Sequence, residues 1–322
     1  MLKKDLDNRY LTFRIPKDIR NTPVKFVLYN ETEKTFPIIS TMYNREDKIM
    51  IDTLSLNEHY NYKYKFQILK NGKWITSKPY KYINVSFKTV NNVQYKFYRE
   101  VDSKYLLVCF SGNGKSPTYN YIGAFSSLKV NKLFIKDDFT SKTSNNSVFY
   151  IGTNQENEVM EYISELIDEI RGSINVTKEN IICCGTSKGG YASILYALTY
   201  GYGYCVTGSP TLYLGNSLLI EGNQKDHARV ISGGVDKLNV DWLNNVLISK
   251  IDNANKCNIS IIIGTGERRY IKHVKPFIND SKSNPNLSFN IKKEDFEEHN
   301  KVATVYPPYA RDVIKSIITP SN

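Results

Sequence analysis

The segment IICCGTSKGGYASILYAL, residues 181–198, is the strongest indication of the fold in this sequence. Its first four residues are an apolar run typical of a buried strand, and Tyr191–Tyr200 has the pattern of a helix that Gly201 ends. Between them, Gly185–Gly189 is a G-x-S-x-G motif, whose small residues allow a tight turn from strand to helix. This context indicates a nucleophile at Ser187 beside the free N–H groups of a helix start, rather than a glycine-rich turn with an incidental serine.

Strands and helices alternate along the chain from about residue 85 onward. An amphipathic helix is predicted between Val159 and Ile170, where apolar residues recur at helical spacing, and Gly172 ends it. The other buried-type strands predicted here are Tyr105–Phe110, Lys132–Ile135, Tyr204–Thr207, Ser260–Ile263 and Leu287–Ile291. This alternation predicts an α/β domain over residues 85–322, with a mostly parallel sheet and helices on both of its faces.

The chain before residue 85 has a different pattern, with short β-prone runs separated by polar turns. These runs are Tyr10–Arg14, Val24–Tyr29, Lys48–Ile51, Tyr62–Leu69 and Lys73–Ser77. The pair Asn71–Gly72 lies between the last two runs and is a strong signal for a two-residue hairpin, because both turn positions favour positive φ. The sequence therefore predicts a small antiparallel β-sandwich over residues 1–84, as an accessory domain.

Composition excludes several classes of protein. With 322 residues, 41% of them hydrophobic and 23% charged, the chain is neither disordered nor collagen-like. Apolar runs such as Ile259–Ile263 are far shorter than the roughly 20 residues of a spanning helix. The N-terminus is charged and no apolar run follows it, so no signal peptide is expected. The five cysteines form no CxxC pair, which fits a reducing cytoplasm.

The formal net charge of +11 is the other compositional signal. It would attract an anionic polysaccharide, an anionic lipid surface or a nucleic acid, or it reflects only a solvated basic surface. The chain has no basic arm, RNP motif or helix-turn-helix pattern, so nucleic acid is not an expected partner. It also has no P-loop, dinucleotide fingerprint, HExxH motif or clustered histidines, so no resident cofactor or metal is expected.

A nucleophilic serine needs a general base, and the chain has four histidines. Where a G-x-S-x-G turn carries the nucleophile, the acid follows the serine along the chain and the histidine comes last. His299 meets this order, because it lies near the chain end after the predicted strand Leu287–Ile291, and we predict that it is the base. His227 is the second candidate. His273 at a predicted helix start and His59 before the serine are weaker ones.

The acid that orients the histidine should follow the predicted strand Ser260–Ile263. Glu267 is the only carboxylate in the turn GTGERR that comes next, and we predict that it holds the imidazole in the reactive tautomer. The alternative is a surface ion pair between Glu267 and a neighbouring arginine. Asp236 and Asp280 are fallback candidates, and Asp295 lies too near the histidine in sequence to face it easily.

An oxyanion hole is predicted from two sources of backbone N–H. The first is Lys188, the residue that follows the nucleophile. The second is the loop of Gly112, Asn113 and Gly114 after the predicted strand Tyr105–Phe110, where glycines let backbone amides approach a substrate. An ordinary glycine turn is the alternative for this loop. In known enzymes, removal of one such donor lowers the rate by about 100- to 1,000-fold.

Three segments together resemble a group of bacterial proteins in surface-glycan pathways. They are FSGNGK at 110–115, YIG at 150–152 and GTSKGGYAS at 185–193. Over roughly residues 100–310, the chain is similar to the XcbB/CpsF family of capsular polysaccharide biosynthesis proteins. It is also similar to the acetyltransferase component of the accessory Sec system, which modifies sugars on serine-rich adhesins. The resemblance implies the α/β-hydrolase fold, with Ser187 as nucleophile and His299 as the C-terminal histidine; Glu267 departs from the pattern if the family has an aspartate there.

The resemblance implies a serine esterase or O-acetyltransferase that acts on a capsular polysaccharide or a glycoprotein glycan. Acetyl-CoA would be an acyl donor and co-substrate rather than a bound cofactor. The expected partners are a carbohydrate, anionic if the basic surface contributes, and other glycan-biosynthesis or export proteins. We expect a cytoplasmic protein without an integral membrane segment. Hydrolysis and transfer both stay open, as does a non-catalytic scaffold that keeps the hydrolase fold to bind a glycan or a partner.

Overall fold

A computed structural model of the protein describes residues 10–20, 22–42, 48–52, 56, 61–77, 79–83 and 87–319. The chain divides into two compact units. The first comprises Met1–Val90 with Lys96–Val101, and the second comprises Asn91–Tyr95 with Asp102–Asn322. Within the described ranges, no helix has both the length and the apolar character that crossing a bilayer requires.

Antiparallel β-strands build the first unit. The strands are β1 (Tyr10–Arg14), β2 (Val24–Asn30), β3 (Thr35–Met42), β4 (Lys48–Asp52), β5 (Tyr62–Lys70), β6 (Lys73–Thr76) and β7 (Lys81–Tyr82). Strand β1 pairs with β4, while the other strands form a sheet in the order β3-β2-β5-β6, with β7 also paired to β5. The predicted antiparallel strand region at the start of the chain is thereby confirmed.

A shared hydrophobic core joins these two sheets. Phe13 of β1 and Ile51 of β4 belong to the same buried cluster as Phe26 and Leu28 of β2 and Phe66 of β5. Because side chains alternate between the faces of a strand, one face of each sheet supplies this core and the other face is left outside it. The first unit is therefore a small sandwich of two sheets.

The predicted hairpin between β5 and β6 is confirmed. Asn71 and Gly72 both have positive φ, 52° and 74°, and they join strands in which Lys70 lies opposite Lys73. Strand β3 was not predicted from the sequence, in part because it contains Pro37. It lies at one end of its sheet, where a residue without an N–H is tolerated because no further strand needs that donor.

A second, larger sheet is mostly parallel. Its strands are β8 (Phe87–Lys88), β9 (Gln94–Tyr98), β10 (Leu106–Phe110), β11 (Asn131–Lys136), β12 (Ile181–Thr186), β13 (Tyr204–Gly208), β14 (Cys257–Gly264) and β15 (Leu287–Glu294). They are arranged in the order β15-β14-β13-β12-β10-β11-β9-β8, and each neighbouring pair from β15 to β11 is parallel. Strands β10 and β12 are buried along their whole length, as the apolar runs of the sequence predict.

Helices cover both faces of this sheet. They are α1 (Glu158–Ser173), α2 (Lys188–Tyr200), α3 (Lys225–Ser232), α4 (Lys237–Ile248), α5 (Lys275–Asp280) and α6 (Val302–Ile318). In β13, the Cys205 thiol donates to the carbonyl of Ser193 in α2, whereas Gly208 lies against Tyr306 of α6. Cys205 and Gly208 are three residues apart on one strand and therefore face opposite sides of the sheet, so α2 and α6 do as well.

Candidate active site

The turn from β12 to α2 places Ser187 at the carboxyl edge of the parallel sheet. Ser187 has φ 54° and ψ −115°, a conformation that a non-glycine residue adopts only where the surrounding structure enforces it. A Cβ added to Gly185 would lie 2.6 Å from the carbonyl oxygen of Phe110, and one added to Gly189 would clash with the same oxygen. Glycine is therefore required on both sides of Ser187, because the turn packs directly on the backbone of β10.

No described residue engages the Ser187 hydroxyl. Its backbone N–H donates to the carbonyl of Gly208 at 2.9 Å, which ties the turn to β13, and its Oγ has no hydrogen-bond partner among the described residues. Lys188 is the first residue of α2, so its N–H is one of those that a helix start leaves without an intrahelical acceptor. A half-exposed hydroxyl thus stands beside unpaired backbone donors.

His299 and Glu267, predicted as base and acid, are joined by a hydrogen bond. The ring Nδ1 of His299 donates to Oε1 of Glu267 at 2.6 Å. Glu267 is only 3% exposed, whereas the His299 side chain is 36% exposed. Since Nδ1 carries the proton that bonds to the carboxylate, Nε2 is the nitrogen left to accept one, and it has no partner in the described part of the chain.

Two further residues hold the carboxylate of Glu267. The hydroxyl of Ser209 donates to Oε2 at 2.5 Å, and Nη1 of Arg269 lies 3.5 Å from Oε1. Burial by itself would raise the pKa of Glu267, but the hydrogen bonds from His299 and Ser209 and the Arg269 charge lower it below its ordinary value. Glu267 is therefore ionised at neutral pH, which is the state that orients a histidine base.

Adjacent strand ends connect the turn to the Glu267–His299 pair. The carbonyl of Gly208 accepts the Ser187 N–H, and the next residue, Ser209, donates its hydroxyl to Glu267. The ends of β12, β13 and β14 thus carry Ser187, Ser209 and Glu267 side by side. Sequence reasoning missed Ser209, although its place at the carboxyl end of a predicted central strand was the signal that could have identified it.

The other histidines are engaged elsewhere. His227 is 1% exposed, and its two ring nitrogens lie 2.9 Å from Asp226 Oδ1 and 2.8 Å from Asn145 Oδ1, so neither nitrogen is free. His273 is fully buried, burial lowers its pKa to about 4, and its Nδ1 accepts the N–H of Tyr213. His59 lies outside the described residues.

The fallback acids have other partners as well. Asp236 precedes α4 and accepts the N–H of Asn239 at 3.1 Å, so it caps that helix. Asp280 accepts the hydroxyl of Tyr213 at 2.5 Å. Asp295 is exposed and follows the end of β15. Among the described residues, Glu267 is the carboxylate that bonds to His299.

One backbone donor of the glycine loop after β10 is already in use, and the other two residues of the loop accept hydrogen bonds. The N–H of Gly112 donates to Oδ1 of Asn120 at 2.7 Å, while Asn145 donates to the Asn113 side chain and, at 3.2 Å, to the carbonyl of Gly114. For Gly112 to donate to a substrate oxygen, Asn120 must first rotate away. Asn120 was missed by sequence reasoning, because an amide in an irregular loop carries no local pattern.

The Lys188 side chain forms a buried ion pair beneath the turn. Its Nζ lies 2.9 Å from Asp137 and 3.1 Å from the hydroxyl of Ser147, and it stands 5.2 Å from the ring centre of Tyr150. The side chains of Lys188 and Asp137 are 5% and 0% exposed. Tyr150 in turn accepts the N–H of Ser111, where the glycine loop begins. One buried cation thus links the turn after β12 to the loops after β10 and β11.

Comparison with known proteins supports the fold. No protein-family model matches the sequence, and no curated protein matches it either. The structure of the capsule O-acetyltransferase of Neisseria meningitidis serogroup A matches with a TM-score of 0.62 and 20% identity, over 77% of this chain and 98% of that chain. The Glycosylation Associate Protein (Gap123) complex from Streptococcus agalactiae matches with a TM-score of 0.57 and 13% identity, over 98% of this chain and 65% of that chain.

A third match is FphF, the fluorophosphonate-binding serine hydrolase F of Staphylococcus aureus. Its TM-score is 0.53 at 16% identity, over 75% of this chain and 100% of that chain. At such identities the likeness concerns the fold. Together with the parallel sheet and its covering helices, it confirms the predicted α/β-hydrolase fold, preceded by a region of antiparallel strands.

Loss of one partner of the buried ion pair should destabilise the protein. Asp137→Asn leaves the Lys188 ammonium without its counter-charge in a site closed to water, and breaking a buried pair in this way costs about 3–5 kcal/mol. We expect a decrease of that order in the free energy of unfolding, measured by urea denaturation.

Two further variants show whether the loss of stability is specific to the buried ion pair. Lys237→Gln breaks an ion pair with Asp241 whose side chains are 86% and 56% exposed, and it should cost less than about 1 kcal/mol. Lys188→Met combined with Asp137→Leu removes both buried charges and should recover part of the lost stability. Recovery is not complete, because the Ser147 hydroxyl and the Val148 N–H lose Asp137 as their acceptor. If Asp137→Asn unfolds like the wild type, the ion pair does not hold these loops together.

The stability contributed by Glu267 should depend on pH. Because the folded state lowers the pKa of Glu267 below 4.5, its carboxylate stabilises the fold above pH 4.5, and this contribution is lost as the pH falls through the folded-state pKa. The wild type should therefore be more stable than Glu267→Gln near neutral pH, and the difference should shrink below pH 4.5. Thermal unfolding of both proteins across this pH range tests it; a constant difference would contradict the lowered pKa.

Proposed function

We propose that the protein is a serine-dependent acyl esterase or O-acyltransferase, and that its substrate is a bacterial surface carbohydrate. The observation that carries the proposal is the 2.6 Å hydrogen bond between His299 and Glu267, formed at the sheet edge where Ser187 stands on its strained turn. The three residues come from separate segments and follow the order serine, acid, histidine. In the α/β-hydrolase fold, a nucleophile and its base follow this same order along the chain and meet at the carboxyl edge of the sheet.

In the proposed reaction, His299 acts as the general base. Its Nε2 takes the proton from the Ser187 hydroxyl as Oγ attacks the carbonyl carbon of an ester or thioester. Glu267 holds the Nδ1–H tautomer and stabilises the imidazolium that forms. The imidazolium then gives its proton to the leaving alcohol or thiol, and the acyl group remains on Ser187. His299 then takes a proton from a sugar hydroxyl or water as that oxygen attacks the ester, and the imidazolium returns this proton to Ser187 Oγ as the serine leaves.

The oxyanion of each tetrahedral intermediate needs N–H donors. The Lys188 N–H at the start of α2 is unpaired within the helix and supplies one of them. We assign the second to the loop of Gly112, Asn113 and Gly114. In this conformation Asn120 accepts the N–H of Gly112, so substrate binding and rotation of the Asn120 side chain are coupled in the proposal.

The comparisons support the carbohydrate part of the proposal. One similar structure is a capsule O-acetyltransferase and another belongs to a glycosylation-associated complex. The resemblance to the XcbB/CpsF family and to the accessory Sec acetyltransferase component agrees with both. We therefore propose acetyl-CoA as acyl donor for the transfer reaction, and other glycan-biosynthesis or export proteins as partners. A cytoplasmic location remains a prediction.

A non-catalytic scaffold is the second candidate. The observation that favours it is that Ser187 Oγ and His299 Nε2 lack hydrogen-bond partners in the described structure while the Gly112 N–H is occupied. Catalytic hydrogen bonds are often long in the absence of substrate and tighten only when it binds. The two candidates therefore differ in whether Ser187 reacts at all.

Reactivity of Ser187 can be tested with a fluorophosphonate probe. An activated serine is phosphonylated by this probe, so we expect the wild type to be labelled and Ser187→Ala to be unlabelled. The matched variant Ser249→Ala changes an exposed serine of the same unit and should be labelled like the wild type. Labelling read on a denaturing gel gives the result, with thermal unfolding to show that each variant is folded. An unlabelled but folded wild type would favour the scaffold.

The identity of the base can be tested with two histidine variants. His299→Ala removes the proposed base, and general-base catalysis contributes about 100- to 10,000-fold, so kcat for a chromogenic acetyl ester should fall by at least the lower figure. His227→Ala removes a histidine whose two nitrogens are engaged with Asp226 and Asn145, and kcat should fall much less. If His227→Ala lowers kcat more than His299→Ala does, the general base is His227 and not His299.

A further inference from the structure

The first unit presents one sheet face outside its own core. In β2, Phe26 and Leu28 belong to the buried cluster, and in β5 Phe66 does. Because alternate residues of a strand face opposite sides, Lys25 and Tyr29 of β2 lie on the outer face of the sheet. Lys63 and Lys65 of β5 lie on that outer face too, since they alternate with Tyr62 and Phe66 of the core.

Aromatic rings hold each of these lysines in place. The Nζ of Lys63 lies 5.0 Å from the ring centre of Tyr29 and 5.3 Å from that of Tyr80. The Nζ of Lys65 lies 4.6 Å from the Tyr80 ring. At the other end, Lys25 Nζ lies 4.2 Å from the ring of Trp74. These six residues form what we call the lysine–aromatic face: Lys25, Tyr29, Lys63, Lys65, Trp74 and Tyr80.

Such contacts matter because a free lysine side chain loses entropy when it binds an anion. A lysine already held over a ring has lost part of that freedom before the ligand arrives, so less binding energy is spent on ordering it. The ammonium groups of Lys25 and Lys65 can still donate to a carboxylate, a phosphate or a hydroxyl. The lysine–aromatic face is thus partly preorganised for an anionic ligand.

The charges on this face do not cancel. Glu31 pairs with Lys63 at 2.8 Å and offsets one of the three lysines. Within the described ranges, Lys25 and Lys65 have no carboxylate at ion-pair distance. The face therefore keeps a net positive charge, and Lys25 and Lys65 carry it.

The lysines are spaced along the sheet at repeated intervals. Lys63 and Lys65 are two residues apart on β5, which separates their Cα atoms by about 7 Å. Lys25 lies opposite Gln67, so it is the diagonal neighbour of Lys65, at about 7–8 Å. Two uncompensated ammonium groups, on residues about 7–8 Å apart at Cα, fit a polymer that carries repeated anionic groups better than they fit a single small anion.

We infer that the lysine–aromatic face binds an anionic polysaccharide, a glycan chain bearing carboxylate or phosphate groups. The inference rests on the proposed function in one respect, that the bound polymer is the one acylated or deacylated at Ser187. Ammonium groups cover ring faces of Tyr80 and Trp74, which leaves a poor platform for stacked bases but suits polar contacts to carboxylates and hydroxyls. The first unit thereby gains a role in holding the substrate.

Binding to a defined polymer tests the inference without any acyl chemistry. Fluorescence anisotropy of labelled polygalacturonate, titrated with the full-length protein at low salt, gives the dissociation constant. We expect Lys25→Gln with Lys65→Gln to raise this constant at least tenfold, and neutral dextran to bind weakly to every variant. Added salt should weaken polygalacturonate binding, because Lys25 and Lys65 are only half-buried and salt screens their charges.

A control variant separates this face from the general charge of the protein. Lys282→Gln with Lys315→Gln removes two exposed lysines of the second unit and changes the net charge equally, so binding should stay within about twofold of the wild type, well under 1 kcal/mol. Lys25→Arg with Lys65→Arg keeps both charges and should retain binding. All variants should unfold at the same temperature as the wild type, which shows that a loss of binding is not a loss of folding.

Several results would overturn the inference. If Lys25→Gln with Lys65→Gln weakens polymer binding no more than Lys282→Gln with Lys315→Gln does, only the net charge of the protein matters. If neutral dextran binds as tightly as polygalacturonate, the charge of the ligand does not matter. Single-stranded DNA or anionic vesicles that bind as tightly, and lose binding with Lys25 and Lys65, would assign the face to another class of ligand. If Ser187 proves unreactive and the polymer still binds, the proposed function is refuted while the lysine–aromatic face remains a binding site.

Discussion

The candidate site depends on how closely the turn after β12 approaches the backbone of β10. Gly185 and Gly189 leave no room for a side chain against the carbonyl of Phe110, and this contact holds Ser187 at a positive φ. Helix α2 therefore begins at the sheet edge, with its first N–H groups unpaired beside the Ser187 hydroxyl. Because the turn after β12 packs on the backbone of β10, the side chain of Lys188 lies in the interior. Backbone packing thus accounts for both the half-exposed serine and the buried cation.

Two buried carboxylates lie near this edge, Asp137 and Glu267, and they have different partners. Asp137 is fully buried and pairs with Lys188, whose side chain is 5% exposed, so this ion pair holds loops together and has no access to a substrate. Glu267 is 3% exposed but bonds to a histidine that is 36% exposed, with a second nitrogen free among the described residues. The difference in exposure explains why proton transfer is assigned to His299. The buried lysine is assigned to positioning instead.

The two units divide the proposed work according to what each can supply. Acyl chemistry needs a nucleophile, a base and N–H donors held within narrow distances, and the edge of a rigid parallel sheet provides that precision. Retention of a long polymer needs repeated weak contacts, and we propose the outer face of the antiparallel sheet, with Lys25 and Lys65, for that role. Composition alone did not explain the net charge of +11, and Lys25 and Lys65 account for part of it.

Local patterns in the sequence determined most of the second unit's strands, the hairpin at Asn71–Gly72 and the turn at Ser187, because periodicity, glycine and chain order act over a few residues. Chain order also singled out Glu267 and His299, although their hydrogen bond was visible only in the folded protein. Tertiary structure alone decided the edge strand β3, the contact of Ser209 with Glu267 and the pairing of Lys188 with Asp137. These features join groups far apart in the chain, and where such groups meet depends on how irregular loops pack, which no local pattern encodes.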